Sequence, residues 1–411
     1  MILNRRQLRL LLPLGTALAL SLTGDSTLYA VLPNQFAAVG ISLGAVGVML
    51  GANRLIRIPG NLLAGGLNDR LGRRRLFLIG LFLGILSTIS YGFVHGFWPL
   101  LAARLLWGIA WSLINVGGYA MVLDWSSSAD RGRMTGFYQV SYMVGLAISP
   151  ILGGALTDAM GFRTAVRICA GISAVGLAVA FAALPEVRPP AAEHSATTRP
   201  SPRRWLGDLA ETLRQADRHL FLAGYIYLIV FFVGNGVLMS TISLYLGQRW
   251  GTTISLGTMA IGVASLAGMM LALRALLGIL GGPMAGVLSD RLGNRWPVIR
   301  VGILLGVSGF VILAVARGAW AIPVGMALVS LSMGALVAVL AAVVGDLTTG
   351  NRSGIAMGGM ATAGDIGSAA GPFVAYALAA TLDLRWVYLS CAILLATCLL
   401  ATAGKWQRGG P

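Results

Sequence analysis

"GGLNDRLGRRR" spans Gly65–Arg75, and "GVLSDRLGNR" spans Gly286–Arg295. Each places an Asp and several Arg between two long apolar runs. Asp69 and Asp290 lie 221 residues apart. One charged turn, written twice at such a distance, points to a duplicated architecture rather than to a chance cluster of charge.

The runs on either side of these turns set the class of protein. The chain has 411 residues, 57% of them hydrophobic and 11% charged, with a mean hydropathy of +0.81. Soluble domains carry about 25% charged residues, so this composition is that of a polytopic membrane protein. Apolar segments of spanning length fall near 10–32, 42–66, 76–95, 98–123, 134–156 and 165–184, and again near 219–246, 256–288, 297–316, 320–344, 356–379 and 385–404. Between the sets lies "PEVRPPAAEHSATTRPSPRRWLGD", whose Pro, Ser, Thr and Arg are linker composition. The expected division is a six-helix half over 1–190, a linker over 191–214 and a second six-helix half over 215–411. The N-terminal "MILNRRQLRLLLPLGTALALSL" resembles a signal peptide, but its apolar run continues through "TLYAVLP". A retained first span is therefore expected.

A net charge of +16 raises the possibility of nucleic acid. The Arg sit in short loops between apolar spans, as the positive-inside rule requires, and nucleic acid is excluded as a partner. With the N-terminus inside, Arg5, Arg6, Arg9, Arg70–Arg75, Arg131, Arg133, the linker, Arg291, Arg295, Arg352, Lys405 and Arg408 are all cytoplasmic. Arg163, Arg167, Arg249, Arg317 and Arg385 remain outside. Cys169, Cys391 and Cys398 form no C-x-x-C pair and read as buried small hydrophobes. The three His are scattered, so no metal site and no cofactor is expected.

The duplication extends well beyond the turn. Asp124 matches Asp346, Arg131 matches Arg352, and Gly136, Gly145 and Pro150 match Gly358, Gly367 and Pro372, all at offsets of 221 or 222. Two six-helix halves in one orientation, related by an axis along the membrane normal, are a transporter design with the substrate between the halves.

With these motifs in hand the chain resembles the major facilitator superfamily over essentially its whole length. The family's G-x-L-x-D-R-x-G-R-R/K signature is matched by Gly65, Leu67, Asp69, Arg70, Gly72, Arg73 and Arg74. The second copy keeps Gly286, Leu288, Asp290, Arg291 and Gly293 but has Asn294 where Arg is expected. The fourth span carries R-x-x-x-G as Arg104 and Gly108. The fifth resembles the helix-packing motif of the drug/proton antiporter branch through Gly136, Gly145, Pro150, Gly153 and Gly154, with Ser149 replacing one Gly. Gly358, Gly367, Gly371 and Pro372 echo it in the eleventh span. The resemblance implies an all-α fold of twelve transmembrane helices in two pseudo-symmetric bundles around a central cavity, working by alternating access. It also implies a gating role for the turn, with Asp69 contacting the eleventh span. Asp124 can pair with Arg70, Arg73 or Arg131, and the plainer reading of the turn is anchoring alone.

Charges inside the spans are the sharpest signals, since each costs at least about 2.5–3.5 kcal/mol at the bilayer centre. They are Asp25, Arg54, Arg57, Arg104, Arg274 and Asp365. At a rise of 1.5 Å per residue, Asp25 and Arg104 lie roughly 12 and 9 Å inside the outer boundary, so they can pair. Asp365 and Arg274 lie roughly 15 and 21 Å from the inner boundary and can pair as well. Arg54 and Arg57, three residues apart, share a face. An Asp alternately paired and released would carry a proton; a static buried pair is the rival. Tyr29, Trp107, Trp111, Asn115, Tyr119, Tyr142, Asn235 and Tyr245 are candidates to line a cavity, or simply to pack.

The composition holds no phosphate loop, no Ser-His-Asp set and no nucleotide-binding domain, and no enzyme activity is expected. The first reading is proton-coupled efflux of small molecules by a monomer in a bacterial inner membrane, with the proton gradient as energy source. The second is an organic-anion importer or exchanger, favoured by four intramembrane Arg against two Asp. A transporter-derived sensor is the third.

Overall fold

The computed structural model describes residues 4–127, 130–186, 218–256, 259–315, 317–348 and 351–402. It is helical throughout, apart from one hairpin. In chain order the elements are α1 (Arg5–Gln35), α2 (Leu43–Leu55), α3 (Arg57–Leu71), α4 (Arg73–Tyr91), α5 (Phe97–Trp125), α6 (Arg131–Met160) and α7 (Phe162–Ala183). There follow α8 (Arg218–Phe231), a π-helical stretch over Phe232–Leu238, α9 (Met239–Trp250), β1 (Thr253–Leu256), β2 (Met259–Gly262), α10 (Val263–Leu292), α11 (Arg295–Val315), α12 (Ala321–Leu347), α13 (Asn351–Ala379) and α14 (Leu384–Thr402).

These make twelve helical rods among the described residues, with α2–α3 and α8–α9 each counted once. Nine are long and apolar enough to cross a membrane. The three outside that set are α1, α2–α3 and α13. They carry Asp25, Arg54 with Arg57, and Asp365; α2 and α3 fall outside that set by length, at 13 and 15 residues.

Three expectations change in detail. The second span is two helices rather than one. Pro59 has no N–H to donate, and its ring crowds the carbonyl of Leu55, so the helix breaks at Ile56 and restarts at Arg57. The seventh span loosens into a π stretch between α8 and α9. The eighth span begins at Val263 and not near 256, because β1 and β2 pair antiparallel there, with Thr253 opposite Gly262 and Leu256 opposite Met259.

By packing, the chain divides into two compact units. The first holds α1–α7 with Met239–Ala275 and Pro372–Ala380; the second holds α8 and the π stretch to Leu238, Leu276–Gly371, and the chain from Thr381 onward. The core of the first lies among α1, α4, α5, α6 and α7, where Leu10, Leu14, Phe77, Trp107, Met121 and Tyr138 are buried together. At the start of α1, Asn4 and Gln7 form a capping box. Gln7 Nε2 also donates to Asp130 Oδ2 at 2.5 Å, fixing the beginning of α1 against that of α6.

In each unit an Arg and an Asp repeat one arrangement at the charged turn. Gly72 (φ 85°) separates α3 from α4, and Gly293 (φ 61°) separates α10 from α11. Only glycine takes up such a conformation without strain. Arg73 Nε donates to Asp124 Oδ2 at 2.9 Å, and Arg73 Nη1 donates to the Asn68 carbonyl at 2.9 Å. In the second unit Arg295 Nε donates to Asp346 Oδ2, and Arg295 Nη1 reaches Asp290 Oδ1 at 3.1 Å. The Arg missing at Asn294 is thus supplied one residue later, so that Arg73 and Arg295 stand at an offset of 222.

Candidate functional site

The buried polar groups of the first unit converge on α1. Asp25 lies in a run of buried residues and is only 6% exposed. Its Oδ1 accepts from Arg104 Nη1 at 2.6 Å and from Asn53 Nδ2 at 2.9 Å. Arg57 Nη2 stands 3.8 Å from Oδ2. Arg104 itself has no exposed surface, and its Nε donates to the Met49 carbonyl at 2.9 Å. Its guanidinium lies over the rings of Tyr29 and Tyr91, at 5.9 and 6.0 Å.

Local sequence explains this assembly. Gly108 follows Arg104 by one turn, and a Cβ there would strike Ile56 and the Asn53 carbonyl. Its absence lets the break between α2 and α3 close onto α5, bringing Asn53 and Arg57 to Asp25. Arg54, on the other side of the break, makes its direct contacts with other groups. Its Nε donates to Tyr29 Oη at 3.2 Å and its Nη2 to Met239 Sδ at 3.3 Å. Arg57 donates to Asn53 Oδ1 at 3.3 Å and lies 5.3 Å from the Trp111 ring centre. Trp111 in turn meets Tyr142 at 5.6 Å, tilted by 42°. Arg274, on α10 but within the same unit, acts electrostatically on Arg54 and Tyr142.

Of the residues singled out in the sequence, Asp25, Tyr29, Arg54, Arg57, Arg104, Trp111, Tyr142 and Arg274 therefore come together. Tyr119 belongs elsewhere: its hydroxyl donates to Gln139 Oε1 at 2.6 Å and its ring packs edge-on against Tyr138 at 4.9 Å. Tyr245 is buried, with Arg249 Nη1 donating to its hydroxyl at 3.0 Å. Asn115 is half-buried on α5, and Trp107 is buried in the hydrophobic core. Asn235, in the π stretch, and Asp365, on α13, belong to the second unit, where Asp365 acts on Tyr227.

The packing glycines divide similarly. Side chains on Gly145 and Gly154 would strike the backbones of Ala19 and Ala264, and one on Gly153 would strike Thr27. In the second unit Gly367 and Gly371 approach the backbones of Leu228, Phe232 and Gly236. Gly136, Gly358, Gly65 and Gly66 have no such neighbour within 4 Å among the described residues. Arg70, Arg131 and Arg291 are exposed; the side chains of Asp69 and Arg352 lie outside the described residues.

Several contributors escaped the sequence reading. Asn53, with no exposed surface, bridges Asp25 and Arg57; a polar residue inside the apolar run of the second span was its only signal. Asp158, in the last turn of α6, accepts from the backbone N–H and hydroxyl of Ser265 at 2.7 and 2.5 Å. It thereby caps the first turn of α10. Asp130 accepts from the Ser127 N–H and hydroxyl at 2.6 and 2.7 Å, and these bonds hold its carboxyl below the usual carboxylate range.

Known proteins extend the picture. The family model described as Major Facilitator Superfamily matches residues 14–273 and 261–407. The tetracycline resistance protein, class C, of Escherichia coli is 27% identical over 378 residues, covering 88% of each chain. A probable L-galactonate transporter of Escherichia coli K12 is 30% identical over 143 residues, 35% of this chain, and that match spans only 31% of the relative's own length. In fold, a bacterial homologue of the human lysosomal transporter Spinster superposes with a TM-score of 0.73 at 16% identity, covering 98% of this chain and 95% of that one.

Proposed function

Because the chain belongs to the Major Facilitator Superfamily, we propose that it is a secondary active transporter of small molecules in which Asp25 and Arg104 couple transport to protons. The buried ion pair between them, at 2.6 Å, carries this reading. Arg stays charged at any physiological pH, so the titrating member is Asp25. A proton on its carboxylate removes the charge that holds Arg104 Nη1, leaving the guanidinium to the Met49 carbonyl and to the rings of Tyr29 and Tyr91. That changes the charge of the site by one unit, and a change of this kind supplies the differential stabilisation a conformational switch needs. Asn53 and Arg57 would take up the released positions. Asp365 is the reserve carrier.

Export is supported by the likeness to a protein named for tetracycline resistance, and exchange against protons by the resemblance of the α6 packing pattern to the drug/proton antiporter branch. The rival, handling of organic anions by import or exchange, is supported by the excess of Arg around Asp25. In either case the protein works as a monomer in a bacterial cytoplasmic membrane. Its two six-helix halves, 1–190 and 215–411, are joined by a cytoplasmic linker, and both termini are inside. Reconstituted into liposomes, the Asp25→Asn variant is expected to lose accumulation driven by a pH gradient while keeping downhill exchange. Full gradient-driven transport by Asp25→Asn, together with its loss in Asp365→Asn, would move the carrier to the second unit. Full transport in both variants would reject a membrane-embedded carboxylate.

A further inference from the structure

We infer that the Arg cluster around Asp25 binds an organic anion with a flat apolar body, and that this anion and the proton bind cooperatively. The inference rests on Asp25 being the proton carrier.

A static ion pair would be complete with Asp25, Arg104 and Asn53, whose contacts at 2.6 and 2.9 Å already engage Oδ1. The cluster goes further. Arg57 adds a second guanidinium 3.8 Å from Oδ2, and its side chain keeps 18% of its surface exposed. Arg54 adds a third, and its partners, the Tyr29 hydroxyl and the Met239 sulfur, are neutral. Arg274 brings a further positive charge toward Arg54. Even with Arg274 set aside, three guanidiniums face one carboxylate. Placing like charges together inside a span is costly, and a carboxylate or sulfonate arriving from outside offsets that cost by charge-assisted, bidentate hydrogen bonding, which the guanidinium fork favours. An amphipathic cation meets repulsion at the same place. Beside the half-buried side chains of Arg54 and Arg57 stand the rings of Trp111, nearly buried, and Tyr142, partly open, 5.6 Å apart, and these suit a flat apolar body.

The charged and titratable groups facing Asp25 are Arg54 and Arg57 from the second span, Arg104 from α5, and the hydroxyls of Tyr29, Tyr91 and Tyr142. Neutralising Asp25 among them raises the site's positive charge by one unit. At a separation of ~10 Å and the effective dielectric usual in proteins, that strengthens anion binding on the order of tenfold. By linkage the anion then strengthens proton binding by the same factor. This sign suits movement of anion and proton together. It is opposite to the competition that export of a cation against protons requires.

The test uses isothermal titration of the purified full-length protein in nanodiscs of neutral lipid. Its probes are naphthalene-1-sulfonate, charged throughout the range used, and the matched cation 1-naphthylmethylammonium. The sulfonate is expected to bind, and the ammonium is not. Sulfonate affinity should rise as pH falls, on the order of tenfold once Asp25 is protonated. Asp25→Asn should hold the affinity at its acid value at every pH. Arg57→Gln should weaken binding more than tenfold and Arg57→Lys should restore part of it, with unliganded melting confirming that both variants fold. Failure of the sulfonate to bind, equal or tighter binding of the ammonium, or weaker sulfonate binding in acid would each overturn the inference. The two readings fail separately. A cation-selective site in a protein that still needs Asp25 for gradient-driven transport refutes the anion alone. Anion-selective binding in a protein whose Asp25→Asn variant keeps that transport refutes the carrier.

Discussion

Replacing Arg104 by Gln is expected to destabilise the protein by about 3–5 kcal/mol, the cost of removing one member of a buried ion pair and stranding the other. Arg104 has no exposed surface and Asp25 only 6%, so water cannot take over the lost partner. The Met49 carbonyl also loses its donor at 2.9 Å. Asp25→Asn should cost less, about 1.5–3 kcal/mol, because the amide oxygen still accepts from Arg104 and only the charge is lost. The double variant removes both members of the closest pair and should cost about as much as Arg104→Gln alone. The coupling between the two positions is then about 2 kcal/mol, roughly a 30-fold change in the unfolding equilibrium. Unfolding by SDS titration in mixed micelles, run for parent, both single variants and the double, yields the cycle. Costs that add to within about 0.5 kcal/mol would mean that the two side chains do not interact in the folded protein, and the proposed switch would lose its basis.

Three further outcomes are expected. The Ser127 bonds hold the Asp130 carboxyl below its usual range, so its contribution is present above about pH 4 and is lost as pH falls through the lower native value. Hydrogen exchange in the first turn of α1, which Gln7 ties to Asp130, should accelerate there in the parent, and an unchanged rate would refute this. Asp158→Ala should remove the cap on α10 at a cost of about 1 kcal/mol. Protection of the Ser265 amide should fall, and full protection in the variant would show that α10 is capped by other means. Gly154→Val drives a side chain into the Ala264 carbonyl and should cost about 1–3 kcal/mol. Gly136→Ala, with no neighbour there among the described residues, should melt with the parent, and equal melting of all three proteins would sink the packing argument.

The fold was legible because a membrane leaves few solutions. Spanning length, the Arg distribution and a repeat offset of 221–222 are each independent of side-chain detail. What local chemistry decides was harder to read. The hairpin before α10 and the π stretch within the seventh span lie inside apolar runs, where periodicity does not separate strand from helix. Asn294 looked like a lost Arg, yet Arg295 reaches Asp346 from the next position, since a glycine turn absorbs one residue without moving the pair.

The site repeats this division between depth and direction. Helical rise alone brings Asp25 and Arg104 to one level, and the pair forms. Rise and periodicity also put Arg54 and Arg57 on one face, which holds only for an unbroken helix. Pro59 ends that condition. With the chain interrupted at Ile56, Arg57 opens a new helix toward Asp25 and Trp111, while Arg54 ends the old one against Tyr29 and Met239. The two guanidiniums thus reach different partners. This gives the site its breadth, since an anion held between Arg54 and Arg57 need not displace Arg104 from Asp25. Straightening the break by Pro59→Ala should therefore weaken sulfonate binding while leaving the Asp25–Arg104 coupling energy intact. Loss of both together would show that the break supports the ion pair and not the anion site.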